Sequence, residues 1–446
     1  MEKGARIMIE APRRTGLVFF PAYDWAISPT HPEREERLLY TQDQVLEEGL
    51  LDVEGIQEYR VRPAGAGDIQ RVHFCVPDEA SVTTESHLIS AGGCLVAADA
   101  VLKGEVESAF ALVRPPGHHA MRVVHGNRGF CNINNEAVMT EYIRDTYGIE
   151  RIAVVDTDCH HGDGTQDVFW HDPDTLYISV HQDGRTLYPG SGFSNELGGP
   201  NAEGTTVNIP LPPQTGEKGF LSVLEELIMP LLEKFEPELV INSAGQDNHF
   251  NDPITHMNFS ARGYALLNAR LRPDIAVLEG GYAVENALPY VNVGIIMAMA
   301  GLDTGFVKEP NYDRDYRPQR DDVTRYIEQE IQDLTDLFLR DGFQRSRYEP
   351  GEIVRRKREL YYDTDSIRER QDERIRRCLD CAGALSIESI SSTGNHILAV
   401  HIPRKACSSC RDLGQKWFEE ACSGKFDYVY LQDRARGAYE RRTRPV

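Results

Sequence analysis

Between about Gly16 and Gly301 the chain alternates short apolar runs with longer stretches in which apolar residues recur at helical spacing. Apolar runs of four to eight residues predict buried strands, and apolar positions three or four apart predict helices packed against them. Strands that alternate with helices are typical of a mostly parallel α/β sheet. The predicted strands are GLVFFP, SAFALVRP, RIAVVDTD, TLYISVHQ, ELVINSAG and DIAVLEGG, and the predicted helices include ISAGGCLVAADAVLKGE and GFLSVLEELIMPLLEKF.

The pattern changes after Gly301. RYIEQEIQDLTDLFLRDGF and RRKRELYYDTDSIRERQDERIRR carry mixed charges at helical spacing with few apolar positions. Such sequence is typical of solvated helices. We therefore expect three parts: a large α/β domain over residues 16–301, a charged helical connector over 302–376, and a small domain over 377–446.

The C-terminal part contains two closely spaced cysteine pairs, Cys378 with Cys381 and Cys407 with Cys410. Four thiolates in two such motifs can close a tetrahedral shell around zinc with no open position. Because GALSIESISSTGNHILAVHIP between them predicts a β-hairpin, we expect a zinc-ribbon-like β domain with a structural zinc ion. The alternative is reduced cysteines or a redox pair. The other cysteines form no pattern and are expected to be ordinary reduced thiols: Cys75, Cys94, Cys131, Cys159 and Cys422.

Charge and targeting signals narrow the possible environments. The chain of 446 residues has 48 Lys and Arg against 70 Asp and Glu, a net charge of -22. This argues against broad nucleic-acid binding and suits a cationic substrate, although many acidic surfaces serve solubility alone. No apolar run approaches the roughly 18 residues of a membrane span, and the N-terminal MEKGARIMIEAPRRTG lacks the apolar segment of a secretory signal. We expect a cytoplasmic protein without a membrane helix.

Polar motifs follow four of the predicted strands: RPPGHHA, DTDCHHGDG, SAGQDNHFNDP and EGGY. In open α/β sheets, sites form beyond the carboxyl ends of the strands. Asp158 and His160 lie two apart, so in an extended segment they point to the same side, and Asp247 leaves another strand at the same edge. One histidine and two carboxylates suit zinc, iron(II) or a similar divalent ion and leave a position for water and substrate. Any one of them alone would more often be a cap or turn former.

A second group surrounds the adjacent histidines His118 and His119. Asp156 and Asp163 would not fit around the same metal and could instead accept hydrogen bonds from the two imidazoles. A carboxylate behind an imidazole fixes its tautomer and raises its basicity, as a general acid or base requires.

The third element is Tyr282, which follows a pair of glycines. The glycines permit a tight turn that would project the phenol into the crevice, where a hydroxyl can donate a hydrogen bond to a forming oxyanion. The same sequence also occurs as an ordinary turn with a packed tyrosine.

Together these motifs resemble the zinc-dependent histone deacetylase family, which also includes the acetylpolyamine amidohydrolases. RPPGHHA, GFCNINNEAV, VVDTDCHHGDGTQDVF, YISVHQ, YPGSG, NIPLPP, SAGQDNHFNDP and EGGY occur in the order found in that family, between about residues 16 and 301. The details are closer to the class II and prokaryotic branch than to class I. The resemblance implies an α/β fold of the arginase/deacetylase type, an open, mostly parallel sheet flanked by helices.

The resemblance also implies a role for each residue of the site. The implied catalytic zinc ligands are Asp158, His160 and Asp247. The implied catalytic residues are His118 and His119, backed by Asp156 and Asp163 respectively, together with Tyr282.

Further positions match the family's substrate and cation sites. Phe130 and Tyr188 match the aromatic walls of the family's acyl-lysine tunnel, and Gly129 matches the backbone position that contacts the substrate amide. Arg37 corresponds to a buried arginine behind the metal. The implied ligands of a monovalent cation, usually potassium, are Asp156, Asp158, His160, Ser179 and Val180.

The implied reaction is hydrolysis of the amide of an N-acetyl or short-acyl lysine side chain or a related acylated amine. Zinc-activated water attacks the carbonyl, His119 with His118 manages the proton, and Tyr282 stabilises the oxyanion. Departures from the family pattern at Gln246, Asn248 and His249 affect the mouth of the site and therefore substrate identity. His249 is expected either on a surface loop or as a rim ligand for a polar substrate.

Three alternatives remain open from the sequence. The enzyme could act on acetylpolyamines or other small molecules. The chain could instead be a binding protein with a slow deacetylase pocket, targeted to a protein partner by its zinc ribbon. A ureohydrolase with two manganese ions is a more distant rival, which the His118 and His119 pair fits poorly.

Overall fold

The computed structural model describes residues 9–19, 26–28, 30–340 and 348–444. The strands within these residues form one large sheet, a second sheet near the C-terminus and a two-stranded ladder. In chain order they are β1 (Glu10–Phe19), β2 (Glu54–Tyr59), β3 (Phe74–Cys75), β4 (Ser108–Leu112), β5 (Val123–Val124), β6 (Ile152–Asp156), β7 (Thr175–Gln182), β8 (Thr206–Leu211), β9 (Leu239–Ala244), β10 (Ile275–Leu278), β11 (Ile353–Tyr362), β12 (Ile367–Arg376), β13 (Leu385–Ser391), β14 (His396–Ile402), β15 (Tyr428–Asp433) and β16 (Ala438–Thr443).

The large sheet has eight strands in the order β2-β1-β4-β10-β9-β6-β7-β8. Every neighbouring pair in it is parallel. The predicted parallel α/β sheet is therefore confirmed, and all six predicted strands lie in it. Phe20 and Pro21, the end of the first predicted strand, lie outside the described residues. The edge strands β2 and β8 were not predicted as strands; in β2 only Ile56 is buried, so its apolar pattern is weak.

The core lies on both faces of this sheet. In β6, Ile152 and Val154 pack into one apolar cluster, whereas Ala153 and Val155 pack into another. Because successive side chains of a strand point to opposite faces, burial on both faces requires the continuous apolar runs seen in the sequence.

Helices cover the two faces. Those within the described residues are α1 (Glu36–Glu47), α2 (Ala66–Gln70), α3 (Glu79–Val82), α4 (Glu85–Leu102), α5 (Asn135–Tyr147), α6 (Asp163–Phe169), α7 (Glu217–Val223), α8 (Met229–Phe235), α9 (Ala261–Leu271), α10 (Leu288–Met299), α11 (Tyr312–Asp315), α12 (Asp321–Thr335) and α13 (Ser408–Cys422). A π-helical turn, Leu224–Ile228, joins α7 to α8, and another, Asp336–Arg340, extends α12. None of the described helices combines the length and the apolar content needed to cross a bilayer.

The helical prediction for residues 302–376 is correct only in its first half. Residues 341–343 of the predicted helix lie outside the described residues, and residues 353–376 form the antiparallel hairpin β11–β12 instead of a helix. Alternate residues of β12 are buried, so the true period is two. The sequence hid this period because one buried position is the charged Glu373, which Arg356 and Arg358 neutralise at 2.8 and 3.1 Å.

The C-terminal sheet has six strands in the order β11 to β16. The predicted hairpin is confirmed as the antiparallel pair β13–β14. The chain then crosses through α13 to β15, which pairs parallel to β14. This separate sheet domain therefore begins at Ile353, within the segment expected to be a connector.

The C-terminal sheet contacts the large domain through an apolar cluster, in which Phe74 and Val123 pack with Ile375 and Ile387, and through ion pairs and hydrogen bonds. Arg434 contacts Glu141 and Asp145 of α5 at 2.8 and 2.9 Å. The hydroxyl of Tyr362 donates to the carbonyl of Val123 at 2.9 Å. The C-terminal sheet thus lies directly against the loops that follow β4.

Candidate active site

Four neighbouring strands bring the polar motifs together. β4, β10, β9 and β6 are adjacent in the sheet and parallel, so their carboxyl ends meet at one edge. The loops that follow them carry the histidine pair, Tyr282, Asp247 and Asp158, respectively. The sheet order therefore explains why segments up to about 160 residues apart in sequence form one site.

Asp158, His160 and Asp247 converge at this edge. Each offers a ligand atom, these atoms all lie within 4.8 Å of one another, and all three residues are buried. His160 Nδ1 lies 2.9 Å from Asp247 Oδ2 and 3.2 Å from Asp158 Oδ1. Backbone amides fix the carboxylates: Gly280 N–H donates to Asp158 at 2.8 Å, and Cys159 N–H donates to Asp247 at 2.8 Å.

The chemistry of this donor set fits a divalent cation. Burial and the nearby charge of Asp158 raise the pKa of Asp247, because two carboxylates this close repel each other when both are ionised. Despite burial, the carboxylates of Asp247 and Asp158 raise the pKa of His160 to about 10. A Cβ on Gly280 would contact both carboxylates, so the glycine leaves the space beside them open. A cation in this space would relieve the repulsion between the two aspartates.

The histidine pair lies beside this group, as predicted. His118 Nδ1 lies 3.1 Å from Asp156 Oδ2, and His119 Nδ1 lies 2.8 Å from Asp163 Oδ1. The two ring centroids are 4.1 Å apart. Each imidazole therefore has a carboxylate behind it, which leaves its Nε2 free of that partner and available to the pocket.

The pKa values of the two imidazoles are shifted in opposite directions. Burial opposes protonation of His118, but the carboxylates of Asp158 and Asp156 outweigh it and raise the pKa of His118 well above its usual value. Burial, followed by the charges of His118 and Arg128, lowers the pKa of His119 well below its usual value. Opposite pKa shifts in adjacent titratable groups are the pattern expected of an acid and base pair.

Glu279, a residue that the sequence analysis did not single out, orients the loop of the histidine pair. Its Oε2 accepts hydrogen bonds from the backbone amides of Gly117 and His118 at 2.8 and 3.0 Å. It is fully buried, and burial with the neighbouring carboxylate of Glu136 raises its pKa well above the usual value. Its position in EGGY, directly after a buried strand, was the available signal.

The side chain of Tyr282 is almost completely buried. Its backbone amide donates to Asp252 Oδ2 at 2.8 Å, its ring meets that of Phe130 edge to face at 5.7 Å, and the guanidinium of Arg37 lies 5.1 Å from its centroid. Gly281, with φ of 121°, provides the turn before it.

Arg37 is fully buried behind the site. It donates to the carbonyls of Gly281 and Glu279, the first at 2.9 Å. Its Nη1 also pairs with Glu33 at 3.1 Å, and Glu33 in turn accepts from Arg114 at 2.6 Å. This buried Arg-Glu-Arg group holds the loop after β10 against the N-terminal segment.

The expected tunnel residues lie around the histidines. Gly129 and Phe130 have left-handed backbone, with φ of 54° and 69°, and a Cβ on Gly129 would collide with the ring of His119. The ring of Tyr188 lies 5.1 Å from that of His119. His31 packs edge to face on Phe130 at 4.4 Å.

Asp363, in the turn between β11 and β12 of the C-terminal sheet, contacts two of the expected tunnel residues. Its Oδ1 accepts from the backbone amide of Gly129 and from the hydroxyl of Tyr188, both at 2.9 Å. In the same turn, Asp365 accepts from the amide of Asn127 at 2.6 Å. The sequence analysis missed Asp363 because the hairpin that carries it was expected to be a helix outside the large domain.

The expected monovalent-cation ligands lie at the ends of two adjacent strands. Asp156 of β6 is the register partner of Ser179 of β7, which Val180 follows. Asp156 Oδ1 accepts from the amide of Asp158 at 3.1 Å, and Ser179 Oγ lies 2.8 Å from His181 Nδ1. The five residues are thus neighbours, and potassium binding there is a prediction.

Two other histidines of these motifs have structural contacts. His161, expected to orient its loop, lies within hydrogen-bonding distance of Ser191 at 2.9 Å and of Gln166 at 3.1 Å. The surface-loop expectation for His249 is wrong. That side chain is buried, pairs with Glu309 and packs against Phe250 at 4.2 Å, because residues after Gly301 fold back over its loop.

The four cysteines of the C-terminal domain also converge, with their sulfur atoms within 4.8 Å of one another. Cys378 Sγ lies 3.6 Å from Cys381 Sγ and 3.7 Å from Cys407 Sγ. Zinc with four thiolates at about 2.3 Å would place the sulfurs roughly 3.8 Å apart, so these spacings fit a zinc shell. Arg376 Nη1 lies 3.2 Å from Cys410 Sγ and 3.3 Å from Cys378 Sγ. The second cysteine pair begins α13 rather than lying in a hairpin turn.

Comparison with known proteins agrees with the geometry. The family profile of the histone deacetylase domain matches residues 78–293. In the solved structures, the crystal structure of the HDA15 HD domain matches with a TM-score of 0.61 and 25% identity, covering 73% of this chain and 95% of that one.

Curated relatives extend this match. A probable deacetylase of Archaeoglobus fulgidus is 43% identical in an alignment of 353 residues. The alignment covers 72% of this chain and 96% of that protein. A histone deacetylase-like amidohydrolase of Pseudomonas aeruginosa is 32% identical over 63% of this chain and 78% of its own length. With near-complete coverage of a relative at this identity, the chain belongs to the histone deacetylase family.

Proposed function

We propose that this protein is a zinc-dependent hydrolase that removes acetyl or another short acyl group from the amine of a lysine side chain or a related acylated amine. The observation that carries the proposal is that two groups of side chains meet at the carboxyl edge of the large sheet. Asp158, His160 and Asp247 form a three-ligand group, and two imidazoles with carboxylates behind them lie next to it.

The three-ligand group would hold the catalytic ion and leave coordination positions open toward the pocket. A divalent ion bound there supplies Lewis acidity toward a carbonyl and makes water a better nucleophile. Zinc suits this one-histidine, two-carboxylate set, and the family to which the chain belongs is zinc-dependent.

His119 is the proposed general base. Its Nδ1 is held by Asp163, and the lowered pKa keeps Nε2 unprotonated and able to accept a proton from water. His118, with its raised pKa, is the proposed general acid that returns a proton to the departing amine. Positioned acid-base groups of this kind contribute about 100-fold or more to rate.

Tyr282 is the proposed oxyanion donor. Its phenol stays protonated at neutral pH because burial raises the pKa well above its usual value, so the hydroxyl can donate to the oxygen of the scissile carbonyl. Gly129, Phe130 and Tyr188 are the proposed walls that hold the acyl chain. We further propose that Asp156, Asp158, His160, Ser179 and Val180 bind a potassium ion behind the site.

The four-cysteine group is proposed to hold a second, structural zinc. Its sulfur spacing supports this assignment, and four thiolates leave no open coordination position for catalysis. The C-terminal sheet would then be a metal-stabilised domain whose hairpin turn completes the rim of the pocket.

The test is a substrate panel of acetyl-lysine peptides, acetylpolyamines and peptides with longer acyl chains. We expect hydrolysis of at least one acylated amine by the wild type and loss of that activity in Asp247→Ala. Preference within the panel separates lysine peptides from polyamines. A binding protein with an inactive pocket would hydrolyse none of them, and that result would contradict the proposal.

A further inference from the structure

A cavity lies away from the proposed active site, between the large domain and the C-terminal sheet. Its volume is about 460 Å³, within the range of small-molecule sites. One wall comes from α5, α6 and the loop before β7, and the other from the loop of residues 377–383 and from β14 with the turn that follows it. The proposed ligands of the catalytic metal and the histidine pair do not line it, whereas Cys378 and Cys381 of the four-cysteine group do.

The lining of this interdomain cavity is strongly basic. Seven arginine and lysine residues line it, against four aspartate and glutamate residues. The whole chain, in contrast, has a net charge of -22. A basic cavity in an acidic protein focuses negative ligands locally, because the rest of the surface repels them.

Most of these cations already have carboxylate partners. Arg144 pairs with Asp172 at 2.6 Å, Arg434 pairs with Glu141 at 2.8 Å, and Lys405 pairs with Asp174 at 3.4 Å. Such pairs need no further anion.

Arg122 and Arg377 differ from the others, because neither forms an ion pair with a carboxylate of the described residues. Arg122 is more than nine-tenths buried, and its Nε has no hydrogen-bond acceptor among the described residues. Its Nη2 donates only to the carbonyl of Val168. The nearby Asp167 is already paired with Arg358.

Arg377 approaches from the opposite wall. Its Nη1 donates to the side-chain oxygen of Asn201 at 3.1 Å and to the carbonyl of Cys378 at 2.9 Å. Its Nε is buried and, within the described part of the chain, also lacks an acceptor. Both arginines line the cavity from opposite walls, and because no carboxylate of the described residues neutralises either guanidinium group, an anion between them can pair with both.

We propose that the interdomain cavity binds a small phosphorylated molecule, with its phosphate groups between Arg122 and Arg377. Guanidinium groups bind phosphate oxygens through paired, charge-assisted hydrogen bonds. A ligand in this position would connect the large domain to the loop that carries the first cysteine pair. It would therefore stabilise the association of the two domains as well as the cysteine loop.

Isothermal titration calorimetry of the full metal-loaded chain in 150 mM NaCl tests the proposal. The probes are inorganic phosphate, fructose 1,6-bisphosphate and adenosine diphosphate, with sodium sulfate as the control anion. We expect at least one of the two larger probes to bind one to one with a Kd on the order of 10 µM, about -7 kcal/mol, and to raise Tm.

Variants locate the binding. We expect Arg377→Gln and Arg122→Gln each to weaken the binding at least about tenfold. The matched control is Arg355→Gln, on the exposed face of β11 outside the cavity, where the side chain is 62% exposed; it should bind as the wild type does. Zinc content and circular dichroism of each variant report whether the cysteine loop has remained folded.

Hydrogen exchange of the wild type with and without the probe keeps the test independent of variant folding. Slower exchange in residues 121–124 and 376–383 supports the proposal. The proposal is overturned if none of the probes binds at 1 mM, if binding leaves both segments unprotected, or if folded Arg377→Gln and Arg122→Gln bind like Arg355→Gln.

Discussion

At the scale of single residues, the four buried aspartates of the site have two different sets of contacts. Asp158 and Asp247 face the position of the proposed metal, whereas Asp156 and Asp163 face the histidines. Two pairs of buried aspartates would repel one another if each lacked a cation or an imidazole. The crowding of charge after β6 is therefore consistent with a metal site and a proton relay that share one loop.

Removal of the proposed base should abolish most turnover. We expect His119→Ala to lower kcat by at least about 100-fold, since a positioned general base contributes that much. Steady-state kinetics on the best substrate of the panel measures the loss. His256→Ala, an exposed histidine near the same face, is the control and should retain full activity. A small effect of His119→Ala would rule out its role as the base.

Tyr282→Phe removes one hydroxyl and leaves the ring packing on Phe130 in place. Loss of one oxyanion donor lowers kcat by about 100-fold, with little change in KM if the hydroxyl acts mainly in the transition state. A raised KM with kcat unchanged would assign Tyr282 to ground-state binding instead.

The buried Arg-Glu-Arg group offers a stability test. Glu33 is fully buried between Arg114 and Arg37, so Glu33→Gln should lower the free energy of unfolding by about 3 kcal/mol, the cost of leaving buried charge unpaired. Denaturant unfolding of this variant and of Glu47→Gln, at an exposed position, measures the difference.

The ion pairs of Glu33 should also make the stability of the wild type depend on pH in the acidic range. Burial raises the pKa of Glu33, but Arg114 and Arg37 outweigh it and hold the pKa below its usual value. A lowered folded pKa stabilises the protein above the unfolded value and loses that contribution as pH falls through the folded value. The stability difference between wild type and Glu33→Gln should therefore shrink below about pH 4.5.

At the scale of elements, the hairpin β11–β12 links the second sheet to the pocket. Asp363 joins Gly129 to Tyr188 through one carboxylate oxygen. Gly129 has left-handed backbone beside His119. The hydrogen bond from its amide to Asp363 holds this part of the proposed tunnel in position. The hairpin therefore acts as a brace on the proposed tunnel.

We expect Asp363→Ala to lower kcat/KM about tenfold, the effect of roughly 1.4 kcal/mol in the transition state. The matched control is Glu359→Gln on β11, where the side chain is 82% exposed. Equal activity of the two variants would mean that the turn does not brace the site.

The sequence predicted these elements unevenly. Buried strands such as β6 and β9 are apolar throughout, because both of their faces lie in the core, and they were therefore recognisable. β12 was not, because Glu373 is buried in an ion pair with arginines of the neighbouring strand, and pairing across strands has no local sequence signal. For the same reason the motifs revealed Asp158 and His119, but not Asp363, which reaches the site only through the tertiary fold.

At the scale of the whole molecule, the described residues contain two candidate metal sites, one in the large domain and one in the C-terminal domain. Elemental analysis of the purified chain should find close to two zinc ions per chain. Replacement of Cys378, Cys381, Cys407 and Cys410 by serine should remove one ion, and Asp247→Ala should remove the other. Two manganese ions per chain would instead favour ureohydrolase chemistry.

The proposed function requires a metal at the carboxyl edge of the large sheet for hydrolysis of an acylated amine. The most direct measurement is acetate release from an N-acetyl-lysine peptide or acetylpolyamine by the wild-type chain, before chelation, after chelation and after zinc is restored. We expect release, loss of at least about 100-fold on chelation, and recovery with zinc. Acetate release that continues unchanged in the chelated protein, or none from any acylated amine with zinc present, would contradict the account.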